Sequence, residues 1–196
     1  MENWNIKGHD VEFIGDTHTY LVDGVIVPSI TQILKVKFNK KYDGIPRETL
    51  QRASEKGTQM HEIIEKWCKN GEESDLVELR NFKFLKRQYN FTVMKNEVPV
   101  ILWYEGDIIG AGRLDMVISM NGQVGLADLK RTSVLDKDYL GYQLNLYRIA
   151  YQQSYGTEIE FLRGIHLRED VRKFVKIPIN EELTIKLIEE WREQNE

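Results

Sequence analysis

One turn places two acidic residues and a lysine on a shared surface. Asn121-Gly122 stands between two runs that alternate apolar and polar residues. This dipeptide closes a type I′ hairpin, because both central positions of that turn need positive φ. With these two residues as the loop, Met120 faces Gln123, and counting back along the ladder sets Met116 against Ala127 and Asp115 against Asp128. Side chains alternate faces along a strand, so Lys130 shares the face of Asp128, while Leu114, Met116, Ile118, Ala127 and Leu129 form the opposite, apolar face. Opposed carboxylates repel unless one is protonated or a cation lies between them. Hard oxygen ligands suit Mg²⁺ or Mn²⁺, and a neighbouring ammonium can neutralise charge that develops on a phosphate. The alternative is a surface hairpin in which Asp128 pairs with Lys130 or Arg113.

The flanking elements must position this hairpin. Residues 11–27 alternate and are broken by Gly15-Asp16 and Asp23-Gly24, which predicts short strands in a β-meander. Ser29 and Gln32 form a capping box for a short helix to about Lys35. Helix formers dominate from Pro46 to Asn70, and Gly57-Thr58 predicts a break into two helices. On the second, Met60, Ile63, Ile64 and Trp67 make an apolar face with His61 beside it. A third helix is expected over 75–89, strands over 92–104, 107–120 and 123–131, and a helix over 137–155. Strands near 158–168 and 171–178 follow, and an acidic last helix over 181–196. A mixed α/β fold in a single domain results, divided as 1–45, 46–180 and 181–196.

Composition narrows the classes. The 196 residues carry Lys+Arg 27 against Asp+Glu 31, a net charge of -4, and 41% are hydrophobic, as expected for a soluble globular chain. The longest apolar run, Val98 to Tyr104, is too short to cross a bilayer. The first residues lack a secretory pattern, so a cytoplasmic protein with no membrane partner is expected. Cys68 is the single cysteine, which excludes an internal disulfide framework and a four-Cys iron-sulfur cluster. Six glutamates against Lys186 and Arg192 from Glu181 onward hold the acidic excess, and the neutral remainder contains two basic stretches. These are Lys35, Lys37, Lys40, Lys41, Arg47 and Arg52, then Arg80, Lys83, Lys86 and Arg87. A polyanion partner is compatible with them, as are plain solvated faces. His9, His18 and His166 have no metal-ligand spacing.

Four segments in order, "GTQMHEIIE" with His61, "GRLDMV" with Asp115, "ADLKR" with Asp128 and Lys130, and "GYQLNLY" with Gln143 and Tyr147, resemble the RecB-type branch of the PD-(D/E)xK nuclease superfamily. The opening "HTYLVDGVIVPSITQIL" also resembles the start of phage and prophage nucleases of this kind. The resemblance implies a restriction-endonuclease-like core, a central mixed sheet flanked by helices with an N-terminal β-meander. It implies that His61, Asp115, Asp128 and the backbone carbonyl of Leu129 bind Mg²⁺ or Mn²⁺, that Lys130 is catalytic, and that Gln143 and Tyr147 contact the DNA strand. Glu97 matches an acidic position behind the metal ligands. The implied activity is metal-dependent DNA hydrolysis, as an exonuclease of phage recombination or DNA processing acting on single strands or DNA ends, with a phage recombination protein as a possible partner. The competing reading is a non-catalytic nucleic-acid-binding module on the same fold. No iron-sulfur cluster and no nucleotide cofactor are expected, since the chain lacks both the cysteines and a Gly-x-x-x-x-Gly-Lys loop. His61 departs from the toroidal phage exonucleases, which typically lack the helix histidine. From the residues alone, His61 also reads as a structural histidine, and Gln143 with Tyr147, at i and i+4, as a packing pair.

Overall fold

The computed structural model describes residues 1–195 and begins with four antiparallel strands, β1 (Glu2–Ile6), β2 (His9–Ile14), β3 (Thr19–Val22) and β4 (Val25–Val27), paired in chain order. The meander is therefore one strand longer than the turn signals predict. Lys7 and Gly8, both at positive φ, close the β1–β2 hairpin, and Asp23-Gly24 does the same for β3–β4. Two short helices follow, α1 (Ile30–Ile33) and α2 (Lys35–Phe38). The Gln32 side chain accepts the Ser29 N–H at 2.9 Å, as the capping box predicts.

Helix α3 (Arg47–Asn70) is a single 24-residue helix, which corrects the expected break at Gly57. No atom beyond its own helix and chain neighbours comes within 4 Å of a Cβ built there, so Gly57 sits on an open face. A lone glycine costs about 1 kcal/mol relative to alanine, too little to interrupt a helix of strong formers. Gly71, at φ 72°, ends α3 with its N–H on the Trp67 carbonyl. Helix α4 (Val77–Gln88) leads into the main sheet.

That sheet has the order β5 (Phe91–Tyr104), β6 (Asp107–Met120), β7 (Gln123–Lys130), β8 (Phe161–Leu167) and β9 (Arg172–Ile177). All neighbours are antiparallel except β7 and β8, which are parallel and joined by helix α5 (Lys137–Tyr155). The sheet is mixed, and helix α6 (Glu181–Asn195) closes the described chain. Glu196, part of the expected terminal helix, lies outside the described residues. Among the described residues no helix is long and apolar enough to cross a membrane.

Both faces of the main sheet are buried. Met116, Ile118, Ala127 and Leu129 pack with Met60, Ile64, Phe82 and Leu85 of α3 and α4. Val117 and Leu126 pack with Leu144, Tyr147 and Tyr151 of α5. Leu114, expected with the first group, belongs to the α5 cluster. The N-terminal sheet covers the far end of β5 and β6, where Val11, Phe13 and Tyr20 meet Ile101 and Ala111.

Candidate metal centre

The hairpin register holds as far as Met116 opposite Ala127, with Asn121 at φ 54° and Gly122 at φ 80° in the turn. One residue further the ladder stops, which corrects the expectation of two carboxylates fixed face to face by strand pairing. Instead Asp115 Oδ2 accepts the Leu129 N–H at 2.6 Å, supplying with a side chain the bond the ladder no longer makes. Asp128 continues in the parallel ladder opposite Gly164 of β8.

On the other side of β6, strand β5 is irregular. Its register shifts between Val93 and Lys95, and Glu97 has φ 48° with no ladder partner between the Asn96–Met116 and Val98–Leu114 pairs. A glutamate in the left-handed region inside a strand is a strained conformation that the surroundings must hold, and such positions cluster at functional sites. Arg113 Nε holds Glu97 Oε2 at 2.8 Å, and the same guanidinium reaches Glu2 of β1 at 2.7 Å.

The free oxygens of both acids meet one imidazole. His61 Nδ1 lies 3.7 Å from Glu97 Oε1 and 3.7 Å from Asp115 Oδ1. Donor atoms of His61, Glu97 and Asp115 all fall within 4.8 Å of one another. The other imidazole nitrogen, Nε2, is 3.2 Å from the Leu129 carbonyl oxygen. Metal-ligating histidines are oriented in this manner, with the second ring nitrogen on a backbone carbonyl or carboxylate. The Leu129 peptide is thus fixed at its N–H by Asp115 and at its carbonyl by His61. One imidazole nitrogen with two carboxylate oxygens is a donor set suited to Mn²⁺ or Mg²⁺, so these residues fit the cation that the sequence implied.

Electrostatics follow the crowding of acids. Burial pulls the His61 pKa down, but Asp115, Glu97 and Asp128 outweigh it and lift the group to about 9. Asp128, 3% exposed, is raised by burial and by Asp115 against the opposing pull of Lys130. Lys130 Nζ stands 2.5 Å from Asp128 Oδ2, a charge contact outside hydrogen-bond geometry, so Oδ2 lacks an aligned donor among the described residues. Burial lowers the Lys130 pKa, yet Asp128 and Asp115 raise it further, so the side chain is an ammonium near neutral pH.

No protein-family model matches the chain, and no curated protein matches it either. Among solved structures, the crystal structure of SSO0001 is similar, with 16% identity and a TM-score of 0.48 over 86% of this chain and 76% of that one.

The remaining sequence candidates take distinct places. Gln143 and Tyr147, on the face of α5 turned to the sheet, are 7% and 6% exposed. A Cβ on Gly112 would come within 3.1 Å of the Tyr147 ring, so glycine there is what lets the ring lie against β6. Gln143 Oε1 is buried with no hydrogen-bond partner among the described residues. His166 is buried, its Nε2 2.7 Å from the Thr132 carbonyl oxygen. Cys68 is a half-buried thiol pushed up to about 11, chiefly by burial. The second basic stretch lines a cavity of about 580 Å³ with Trp67, a cavity to which none of His61, Glu97, Asp115, Asp128 and Lys130 contributes. Sequence reasoning kept Glu97 behind the ligands and passed over Arg113 and Glu2 as its support. The available signal was an acid directly before the apolar run that starts at Val98.

Proposed function

We propose that the chain is a metal-dependent deoxyribonuclease of the PD-(D/E)xK type, RecB-like, cutting DNA phosphodiester bonds as an exonuclease. The observation that carries this reading is the convergence of His61, Glu97 and Asp115 beside the Asp128–Lys130 pair. Three separate elements, α3, β5 and the β6–β7 hairpin, supply these side chains.

In this reading His61 Nδ1, Glu97 Oε1 and Asp115 Oδ1 hold the cation, and the Leu129 carbonyl orients the imidazole from behind. Glu97 and the Leu129 carbonyl thereby exchange the roles expected for them, and Asp128, expected as a third protein ligand, instead faces Lys130. A divalent cation bound there supplies Lewis acidity and an acidified water. Lys130, already protonated, cannot take the proton from that water. Its ammonium would place positive charge beside a phosphate oxygen that gains negative charge as a water oxygen bonds to phosphorus and the ester P–O bond breaks. The water's proton leaves to solvent, and the departing oxygen takes one from solvent. Asp128 keeps Lys130 charged and aimed. Arg113 keeps Glu97 turned toward His61.

The test is incubation of the purified chain with end-labelled linear DNA and with closed circular DNA, each in Mg²⁺, Mn²⁺ or EDTA. Mononucleotides or short products from linear DNA alone, only with metal, are the expected result. Cleavage of circles would make the enzyme an endonuclease. DNA left intact in both metals would overturn the reading.

A further inference from the structure

A second cavity lies at the beginning of α5. It encloses about 490 Å³, and its walls include Gln32, Lys35, Phe38, Lys41, Tyr42 and Tyr139. Its cations come from the first basic stretch, whose lysines the fold separates. Lys37 lies 5.1 Å above the Tyr142 ring and does not line the cavity, whereas Lys35 and Lys41 do. Lys41 is mostly buried, with Nζ 3.2 Å from the Tyr139 ring centre and 3.0 Å from Asp136 Oδ2. Tyr42 is 55% exposed at the rim. Tyr139 stands in the first turn of α5, which begins at Lys137 after β7 ends at Lys130, and Lys41 and Tyr139 are both within electrostatic reach of Lys130 and Asp128.

We propose that this cavity is a nucleotide subsite, taking the phosphate and base of a single-stranded DNA segment beside the bond that Lys130 serves. The chemistry of the walls selects that ligand. Lys35 and Lys41 offer two cations against the one carboxylate of Asp136, Tyr42 offers an exposed aromatic face, and Gln32 offers an amide. A phosphate compensates the partly desolvated Lys41, and a base can stack on Tyr42, the combination by which single strands are held without sequence preference. The volume is in the range of small-ligand pockets and suits one nucleotide unit rather than a duplex. The placement beside a cleavage centre rests on the nuclease reading, but the binding of a single strand does not.

The experiment is fluorescence anisotropy of a labelled oligothymidylate of about ten nucleotides, within the usual span of single-strand sites, with the full chain in EDTA over a range of salt. The Lys35→Gln/Lys41→Gln double variant should flatten the log–log salt slope by about 0.7, since the two lysines share one phosphate and each lost phosphate contact on a single strand removes about that much. Tyr42→Ala should weaken binding by about ten-fold with the slope unchanged, as loss of one stacking platform does. Lys41→Arg should retain the wild-type slope, and Lys186→Ala, on the exposed side of α6, should change nothing. Thermal melts confirm that each variant is folded. Wild-type protein that does not bind, a double variant that keeps the wild-type slope, or a Lys186→Ala loss as large as the double variant's would overturn the subsite. Wild-type protein that shows these binding signatures but leaves DNA intact in Mn²⁺ would remove the nuclease reading and leave the subsite as a binding site.

Discussion

In the proposed site Asp115 has two tasks, one oxygen on the Leu129 N–H and the other toward the cation, and the tasks separate by mutation. Asp115→Asn keeps an acceptor for the Leu129 N–H while losing the charge, so its metal-free melting temperature should stay near wild type and cleavage should fall by about a hundred-fold or more. Asp115→Ala also orphans that N–H, which should cost about 1–3 kcal/mol in denaturant unfolding. Glu97→Gln should weaken Mn²⁺ binding in calorimetry as much as Asp115→Asn does. An unchanged affinity would return Glu97 to the outer position that the sequence suggested. For His61 the sign is fixed by a folded pKa of about 9 against an ordinary 6.5, because the folded state binds the proton more tightly. That stabilisation is complete below about pH 6.5 and is lost as pH rises through about 9. Melts in EDTA should therefore fall across this window, and His61→Gln should flatten them. Mn²⁺ competes with the same proton, so its affinity should rise with pH over the same range. Asp115, Asp128 and Lys130 were legible in the sequence because the Asn-Gly turn brings the ends of β6 and β7 together, although the ladder stops one residue short of the two acids. The helical period placed His61 beside the apolar face, and its reading as a ligand came from the resemblance alone. Glu97 as a donor was not legible, because its positive φ and its ion pair with Arg113, itself paired with Glu2 of β1, are set by contacts between strands that no local pattern encodes.

At the level of elements, strong local signals held and weak ones yielded to their neighbours. Asn121-Gly122 set the β6–β7 register, and the helix over 137–155 stands at its expected bounds, since its N-cap Asp136 and its terminal Gly156 are unambiguous. The Gly57 signal failed because one glycine on an open helix face is outweighed by two flanking turns of helix formers. Gly57→Ala should accordingly raise stability by about 0.5–1 kcal/mol in chemical denaturation with cleavage unchanged. A loss of stability would mean that α3 needs a hinge there. The face of α5 is a second case: i, i+4 spacing put Gln143 and Tyr147 together, but spacing cannot tell a strand-contacting face from a packed one. With Tyr147 buried against Gly112 and Ile30, Tyr147→Ala should cost about 3–5 kcal/mol as a large-to-small core change. Tyr147→Phe keeps the packing, so a drop in DNA binding by that variant would assign the hydroxyl a contact with the strand.

Over the whole molecule, the layout of an α/β fold with a mixed five-stranded sheet and a separate antiparallel meander follows from the order of periodicities along the chain. What that order could not convey is how the layers meet. The N-terminal sheet reaches the candidate metal centre through the Glu2–Arg113–Glu97 chain of charges, and the segment after it walls the cavity at the start of α5. The account therefore makes one centre, assembled from α3, β5 and the β6–β7 hairpin, responsible for all cleavage. The most direct measurement is the rate of Mn²⁺-dependent digestion of end-labelled linear DNA by wild type, Asp115→Asn, Glu97→Gln and Lys130→Ala, each shown by its melt to be folded. The account predicts metal-dependent digestion by the wild type, loss in all three variants, and calorimetric Mn²⁺ binding retained only in Lys130→Ala. Digestion by Asp115→Asn and Glu97→Gln at the wild-type rate would contradict it.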